Sequence, residues 1–247
     1  MAHPLRPLVA PPRLRQGRMT IQKMQDLNRC AMAYIASVLR PGMTLSKVRT
    51  LCEEYLLSHG ADSFWYWDVG AFVFSGQQTT VSVSGREYET PDAVLQENDI
   101  LTVDLSPQKN GVWGDYARTL ILENGRIITD TECIQNEEWR DGLQMEESLH
   151  NTMRAFVTRD TTFEDLYYHI NALIEQRGYV NLDFLGNLGH SIVTDKNDRI
   201  YIEKGNKVKL SSVTAFTFEP HIARPNSPYG FKMENIYRLE ADRVIVL

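Results

Sequence analysis

From Ile21 the apolar residues Met24, Leu27, Ala31, Tyr34, Ile35 and Val38 recur at helical spacing until Pro41-Gly42 stops the run, which predicts a helix over 20–40. A second amphipathic run, Leu45, Val48, Leu51, Cys52, Tyr55 and Leu56, follows Thr44 in the position of an N-cap and closes at Gly60. The pattern then turns aromatic and β-prone. Phe64-Trp65-Tyr66-Trp67 and Ala71-Phe72-Val73-Phe74 read as strands or a packed edge, ended by Ser75-Gly76, with core packing expected for most of these rings. One further short strand is predicted over Thr79–Gly85.

A long helix is expected from about Cys133 to Val157, carried by Trp139, Leu143, Leu149, Met153 and Phe156. Thr162-Phe-Glu-Asp165 has the form of a capping box opening a helix from Phe163 to Gln176, which Gly178 ends. The last seventy residues are mostly strands and turns. Helices alternating with antiparallel-type hairpins, without a repeat or linker, predict one α+β domain over 19–247. Residues 1–18, with Pro4, Pro7, Pro11 and Pro12 among several arginines, read as an extended N-terminal arm.

Composition narrows the function classes. With 247 residues, 43% of them hydrophobic, the chain can bury a sizeable core. A formal net charge of −6 without a Lys/Arg cluster argues against nucleic acid or a membrane surface as partner. Cys30, Cys52 and Cys133 form no CxxC pair, so neither a disulfide framework nor a cysteine zinc site is expected, and a reducing, cytoplasmic compartment follows. There is no secretory h-region and no apolar run of membrane-spanning length.

Four acids sit inside apolar, strand-like stretches: Asp104 and Asp115, eleven positions apart, and Glu219 and Glu234, fifteen apart. An ionised carboxylate is costly there unless a positive charge compensates it. On an antiparallel hairpin Asp104 and Asp115 are expected to face each other, with Cβ atoms about 4.5–5.5 Å apart, and Glu219 and Glu234 repeat the arrangement. Like charges so placed repel, and a shared cation reverses that cost. Two divalent ions would neutralise four carboxylates, with His190 as a fifth protein ligand. Oxygen-rich donors with one imidazole suit Mn, Co, Fe or Mg, and also admit Zn. Such a pair holds a hydroxide near neutral pH and polarises a carbonyl, which is machinery for hydrolysis.

The order of these motifs resembles the pita-bread metallopeptidases, the superfamily of methionine aminopeptidase, Xaa-Pro aminopeptidase, prolidase and creatinase. The resemblance runs over about 20–247 and is carried by Val103-Asp104-Leu105, Gly114-Asp115-Tyr-Ala-Arg118-Thr119, Leu188-Gly189-His190, Thr217-Phe218-Glu219-Pro220 and Gly230-Phe-Lys-Met-Glu234-Asn235. It implies a pita-bread catalytic domain in which Asp104 and Asp115 hold one metal, Asp115 and Glu234 bridge to a second, and His190 and Glu219 complete that second site. Glu219 would also act as acid/base partner of a bridging hydroxide, and Arg118 would be salt-bridged beside Asp115. The substrate implied is a short peptide or amide. Dimers are common among such relatives, so a homodimer is expected, with the proline-rich arm as candidate contact.

Two departures stand beside the matches. Where the relatives place a substrate-facing histidine before the first aspartate, this chain reads Val81-Ser-Val-Ser84-Gly85, and the usual histidine-rich run reads Gly186-Asn-Leu-Gly-His190-Ser191. His221, directly after Glu219-Pro220, is the candidate displaced catalytic imidazole. His3, His59, His150 and His169 are expected at the surface, and Glu240 is rejected as a ligand because its surroundings are polar and turn-like. Three readings follow: a dinuclear hydrolase of a small peptide or amide; a non-peptidase metalloenzyme on the same scaffold acting on a modified amino acid or small metabolite; and a binding module that has lost catalysis. Retention of all five ligands disfavours the third, because idle clustered acids destabilise a core.

Overall fold

The computed structural model describes residues 18–241 and 243–247, so the expected arm at the N-terminus lies almost wholly outside the described residues. Helix α1 (Ile21–Val38) is capped by Thr20, whose Oγ1 accepts from Lys23 N. Helix α2 (Leu45–His59) is capped by Thr44 and ends at Gly60, where φ is +147°. Strands β1 (Ser63–Phe64) and β2 (Ala71–Ser75) follow, separated by a turn through Trp65–Val69. The strand expected over 79–85 is instead a 3-10 turn, Gly76–Thr80, running into irregular chain. Thr79 is held there by long-range bonds: its carbonyl accepts from His221 Nε2 and its Oγ1 from Gly230 N.

The first acidic hairpin comprises β3 (Asp99–Leu105), β4 (Pro107–Lys109), β5 (Val112–Trp113), β6 (Tyr116–Glu123) and β7 (Arg126–Ile128). Its tip is the pair Asn110-Gly111, both with positive φ (52° and 75°), a two-residue turn whose twist suits antiparallel strands. That turn pairs Lys109 with Val112, and the same register sets Asp104 opposite Ala117. Asp104 and Asp115 are therefore diagonal neighbours on one face instead of directly opposed as expected; the two-residue turn would have to fall one position earlier, at Lys109-Asn110, to oppose them.

Helix α3 (Glu137–Phe156) starts four residues later than the periodicity suggested. The reason is Glu123, whose carboxylate accepts from Gln135 N and Asn136 N and keeps that stretch out of the helix until Asn136 caps it. Helix α4 (Phe163–Gln176) begins in the expected capping box, with Thr162 and Asp165 bonded reciprocally.

After β8 (Val180–Asn181) come β9 (Phe216–Phe218), β10 (His221–Ala223), β11 (Gly230–Lys232), β12 (Asn235–Glu240) and β13 (Arg243–Val246). Two ladders share one register here: His221 pairs with Lys232, and Phe218 with Asn235. Glu219 and Glu234 fall in the gap between them, opposed as the sequence predicted.

The two largest apolar clusters among the described residues carry most of these elements. One packs α1 and α2 against β2 and β3 through Met24, Ile35, Leu56, Val73 and Val103; the other packs α3 and α4 against the second hairpin through Leu149, Phe163, Ile170, Phe218 and Phe231. The two hairpins meet where β6 touches the 232–234 segment. Arg118 bridges to Met233, Glu234 N donates to Ala117 O at 3.0 Å, and Lys232 N donates to Thr119 Oγ1 at 2.8 Å. All four acids lie along this seam.

Candidate metal centre

Each side chain of the cluster has a local reason to be where it is. Asp115 is fixed by α1, because Gln25 Nε2 donates to its carbonyl (2.9 Å) while Gln25 Oε1 accepts from its N–H (3.2 Å). Trp65 Nε1 donates to the preceding Gly114 carbonyl. His190 follows Gly189, whose φ of +132° and close approach to Thr217 leave no room for a side chain. Thr217 Oγ1 accepts from His190 N (2.9 Å) and donates to Glu219 Oε1 (3.1 Å), so one hydroxyl sets two candidate ligands. The imidazole lies among the rings of Trp65, Trp113 and Tyr201, with centroids 5.8, 5.8 and 5.9 Å away. Its Nδ1–H donates to Ser191 O, which leaves the Nε2 lone pair facing Asp115 Oδ2 at 3.5 Å and Glu219 Oε1 at 3.7 Å.

The five residues therefore converge. Ligand oxygens of Asp104, Asp115 and Glu234 lie within 4.8 Å of one another. Both carboxylate oxygens of Glu234 are buried without a hydrogen-bond partner among the described residues, and the residue is 0% exposed. In its ionised form a carboxylate so placed needs a cation. The electrostatics agree: burial, reinforced by the Asp104 and Glu219 charges, pushes the Asp115 carboxyl up to about 7 against the opposing pull of His190. Burial, with Asp115, Glu219 and Asp104 beside it, holds Glu234 well above the usual carboxylate range. Glu219 behaves oppositely. Burial raises it, but the Lys232 charge, with the hydrogen bonds of Lys232 and Thr217, outweighs that and leaves it below its ordinary value.

Carboxylate oxygens with one imidazole are donors that suit a divalent metal ion. Residues 20–241 match the model for metallopeptidase family M24. The chain belongs to that family. It is 26% identical over 217 residues to the methionine aminopeptidase of Helicobacter pylori, covering 83% of this chain and 78% of that one. Its fold superposes on the X-Pro aminopeptidase of Thermotoga maritima with a TM-score of 0.75 at 17% identity, and on the prolidase of Pyrococcus furiosus with 0.74 at 17%. Each superposition covers 92% of this chain but only 59% and 61% of those longer chains. The M24 pita-bread architecture expected from the motifs is thus present, and membership places the chain among the metal-dependent hydrolases. No helix among the described residues is long and apolar enough to cross a membrane.

The remaining candidates fall into place differently. His221 lines the same cavity, of about 340 Å³, but both its ring nitrogens are engaged: Nε2–H donates to Thr79 O and Nδ1 accepts from Ser82 Oγ. Burial holds it near 4, so the ring is neutral. Arg118 is not salt-bridged to Asp115; its guanidinium donates to Glu234 O and Asn235 Oδ1, both at 2.7 Å, and fixes the strand that carries Glu234. Glu240 is exposed and pairs with Arg238. His150, expected at the surface, is buried: Nε2–H donates to Met233 O and Nδ1 accepts from the Tyr237 hydroxyl at 2.7 Å.

Four further groups were not singled out from the sequence. Lys232 reaches Asp104 Oδ2 at 2.7 Å and Glu219 Oε2 at 3.2 Å. Glu146 on α3 is buried with neither oxygen hydrogen-bonded among the described residues, and burial holds it far above its ordinary range. Asp183, pushed up to about 6 by burial and by Glu219, lines the cavity, as does Arg199, which stacks 4.7 Å over the Trp65 ring. Only Lys232 carried a local signal, since it stands two residues before Glu234 and so faces the same side of its strand.

Proposed function

We propose that this M24 chain hydrolyses a short peptide or a related small amide in the cavity above the acid cluster. The observation that carries the reading is the convergence of Asp104, Asp115, His190, Glu219 and Glu234, with the Glu234 oxygens buried and otherwise unpartnered. These five form the candidate ligand set. A divalent ion bound there supplies Lewis acidity towards a carbonyl and lowers the pKa of water. The chain's own groups do the rest. Glu219, kept ionised by Lys232 and Thr217, is placed to accept a proton from water and return it to the leaving amine. Trp65, Tyr66 and Phe72 wall the cavity on its apolar side and exclude bulk water, and a space of about 340 Å³ admits a dipeptide-sized molecule more readily than a folded chain end. His221 positions Ser82 and the Thr79 carbonyl and does not carry protons, because neither nitrogen is free.

A second reading keeps the metal and changes the substrate: a non-peptidase reaction on a modified amino acid or small metabolite. It is favoured by Ser82 and Ser84, which line the cavity where relatives of this type are expected to place a histidine. Chelator-stripped protein reloaded with Mn, Co, Fe or Zn and offered Met-Xaa and Xaa-Pro peptides separates the two. Cleavage restored by metal supports the first; bound metal with no peptide cleaved by any of the four forms contradicts it and leaves the second.

A further inference from the structure

Lys232 and Glu234 alternate with Met233 along one strand, so both side chains project to the same face, into the acid cluster. The backbone of Lys232 is pinned on both sides. Its N–H donates to Thr119 Oγ1 at 2.8 Å, and its carbonyl accepts from the same hydroxyl at 3.2 Å. The ammonium therefore does not wander as a surface lysine would. It donates to Asp104 Oδ2 at 2.7 Å and Glu219 Oε2 at 3.2 Å, joining the acid expected on one ion to the acid expected on the other.

The cluster is uneven in a way that fits this. Asp104, Asp115 and Glu234 bring ligand atoms within 4.8 Å of one another, whereas Glu219 is drawn to Lys232 as well as to His190. Glu219 already has a cation, the Lys232 ammonium it shares with Asp104. Glu234 has none: its two oxygens are the buried, unpartnered acceptors of the site. An ammonium against two carboxylates supplies one of the two positive charges that a second divalent ion would bring, and a cation entering beside it would meet like charge in a poorly solvated space.

We propose that Lys232 takes the place of a second metal ion, so that the centre holds one divalent cation per chain, among Asp104, Asp115 and Glu234. This rests on the reading of the cluster as a metal centre. It makes Glu219 a base held by Lys232 and Thr217 instead of a ligand, and it gives the missing auxiliary histidines a counterpart: a built-in cation beside the reacting centre.

The test is metal content, which does not depend on turnover. Wild type, Lys232→Met and Lys232→Arg are stripped with chelator, reloaded with excess Mn²⁺ or Co²⁺, freed of unbound ion and measured by elemental analysis against protein concentration. The expected result is one ion per chain in wild type and Lys232→Arg, and two in Lys232→Met. Two ions in wild type overturn the inference while leaving the metal centre intact, and so does a single ion in folded Lys232→Met. No ion in any form overturns the metal-centre reading itself. Should Lys232→Met not fold, the wild-type count still decides between one and two.

Discussion

Glu219 and Glu234 face each other across the gap between two ladders of one register, the pairs His221–Lys232 on one side and Phe218–Asn235 on the other. The sheet hydrogen bonds stop where the acids begin, so strand pairing delivers two carboxylates to one spot without satisfying either. Glu219 finds Lys232, Thr217 and His190; Glu234 finds no partner among the described residues.

That asymmetry predicts the behaviour of Glu234→Gln. With its folded pKa raised above the unfolded value, Glu234 binds a proton more tightly in the native state, so the metal-free wild type loses stability as pH rises above the ordinary carboxylate range. The amide removes this loss. In chelator at pH 7–8 the variant is expected to be more stable than wild type by about 1–3 kcal/mol in urea unfolding. Added Mn²⁺ should stabilise wild type and leave the variant unchanged.

His150 gives the opposite slope. Burial holds it near 3, below its unfolded value, so the native state must resist protonation as pH falls below about 6.5. Between pH 6.5 and 5 this contributes a loss of about 2 kcal/mol, at about 1.4 kcal/mol per unit. His150→Asn should flatten the pH dependence of stability over that interval, whatever it does to stability at pH 7.

Gly189 is predicted to be irreplaceable in a way that Gly205 is not. An added Cβ at Gly189 would sit 2.4 Å from Thr217 O and 2.8 Å from Thr217 Oγ1, the hydroxyl that orients both His190 and Glu219. At Gly205, also with positive φ, nothing lies within 4 Å. Gly189→Ala should cost about 3 kcal/mol and weaken metal binding, while Gly205→Ala should cost roughly 1 kcal/mol with metal affinity unchanged. Urea midpoints and a metal titration on each variant check both.

How far the sequence could be read follows from how local each signal is. The helices α1, α2 and α4 were legible because caps and periodicity lie within the segments themselves, and the convergence of the five candidate ligands was legible because each sits in a short motif of its own. The start of α3 was not, because Glu123 sets it from another strand. The diagonal placing of Asp104 and Asp115 depends on the Asn110-Gly111 turn, which fixes the register. His150, Asp183 and Arg199 are brought to their places by contacts between distant segments, and no spacing announces such contacts. Lys232 was visible in its motif, yet its pairing with Asp104 required the seam between the hairpins.

The most direct measurement is calorimetric titration of Mn²⁺ into chelator-stripped wild type and Asp115→Ala, with folding of both checked by circular dichroism. Asp115 lies at the centre of the cluster, near Asp104 and Glu234 and 3.5 Å from His190 Nε2. The account predicts saturable binding to wild type and a loss of at least a hundredfold in affinity for folded Asp115→Ala. Equal affinity in the two proteins would contradict it.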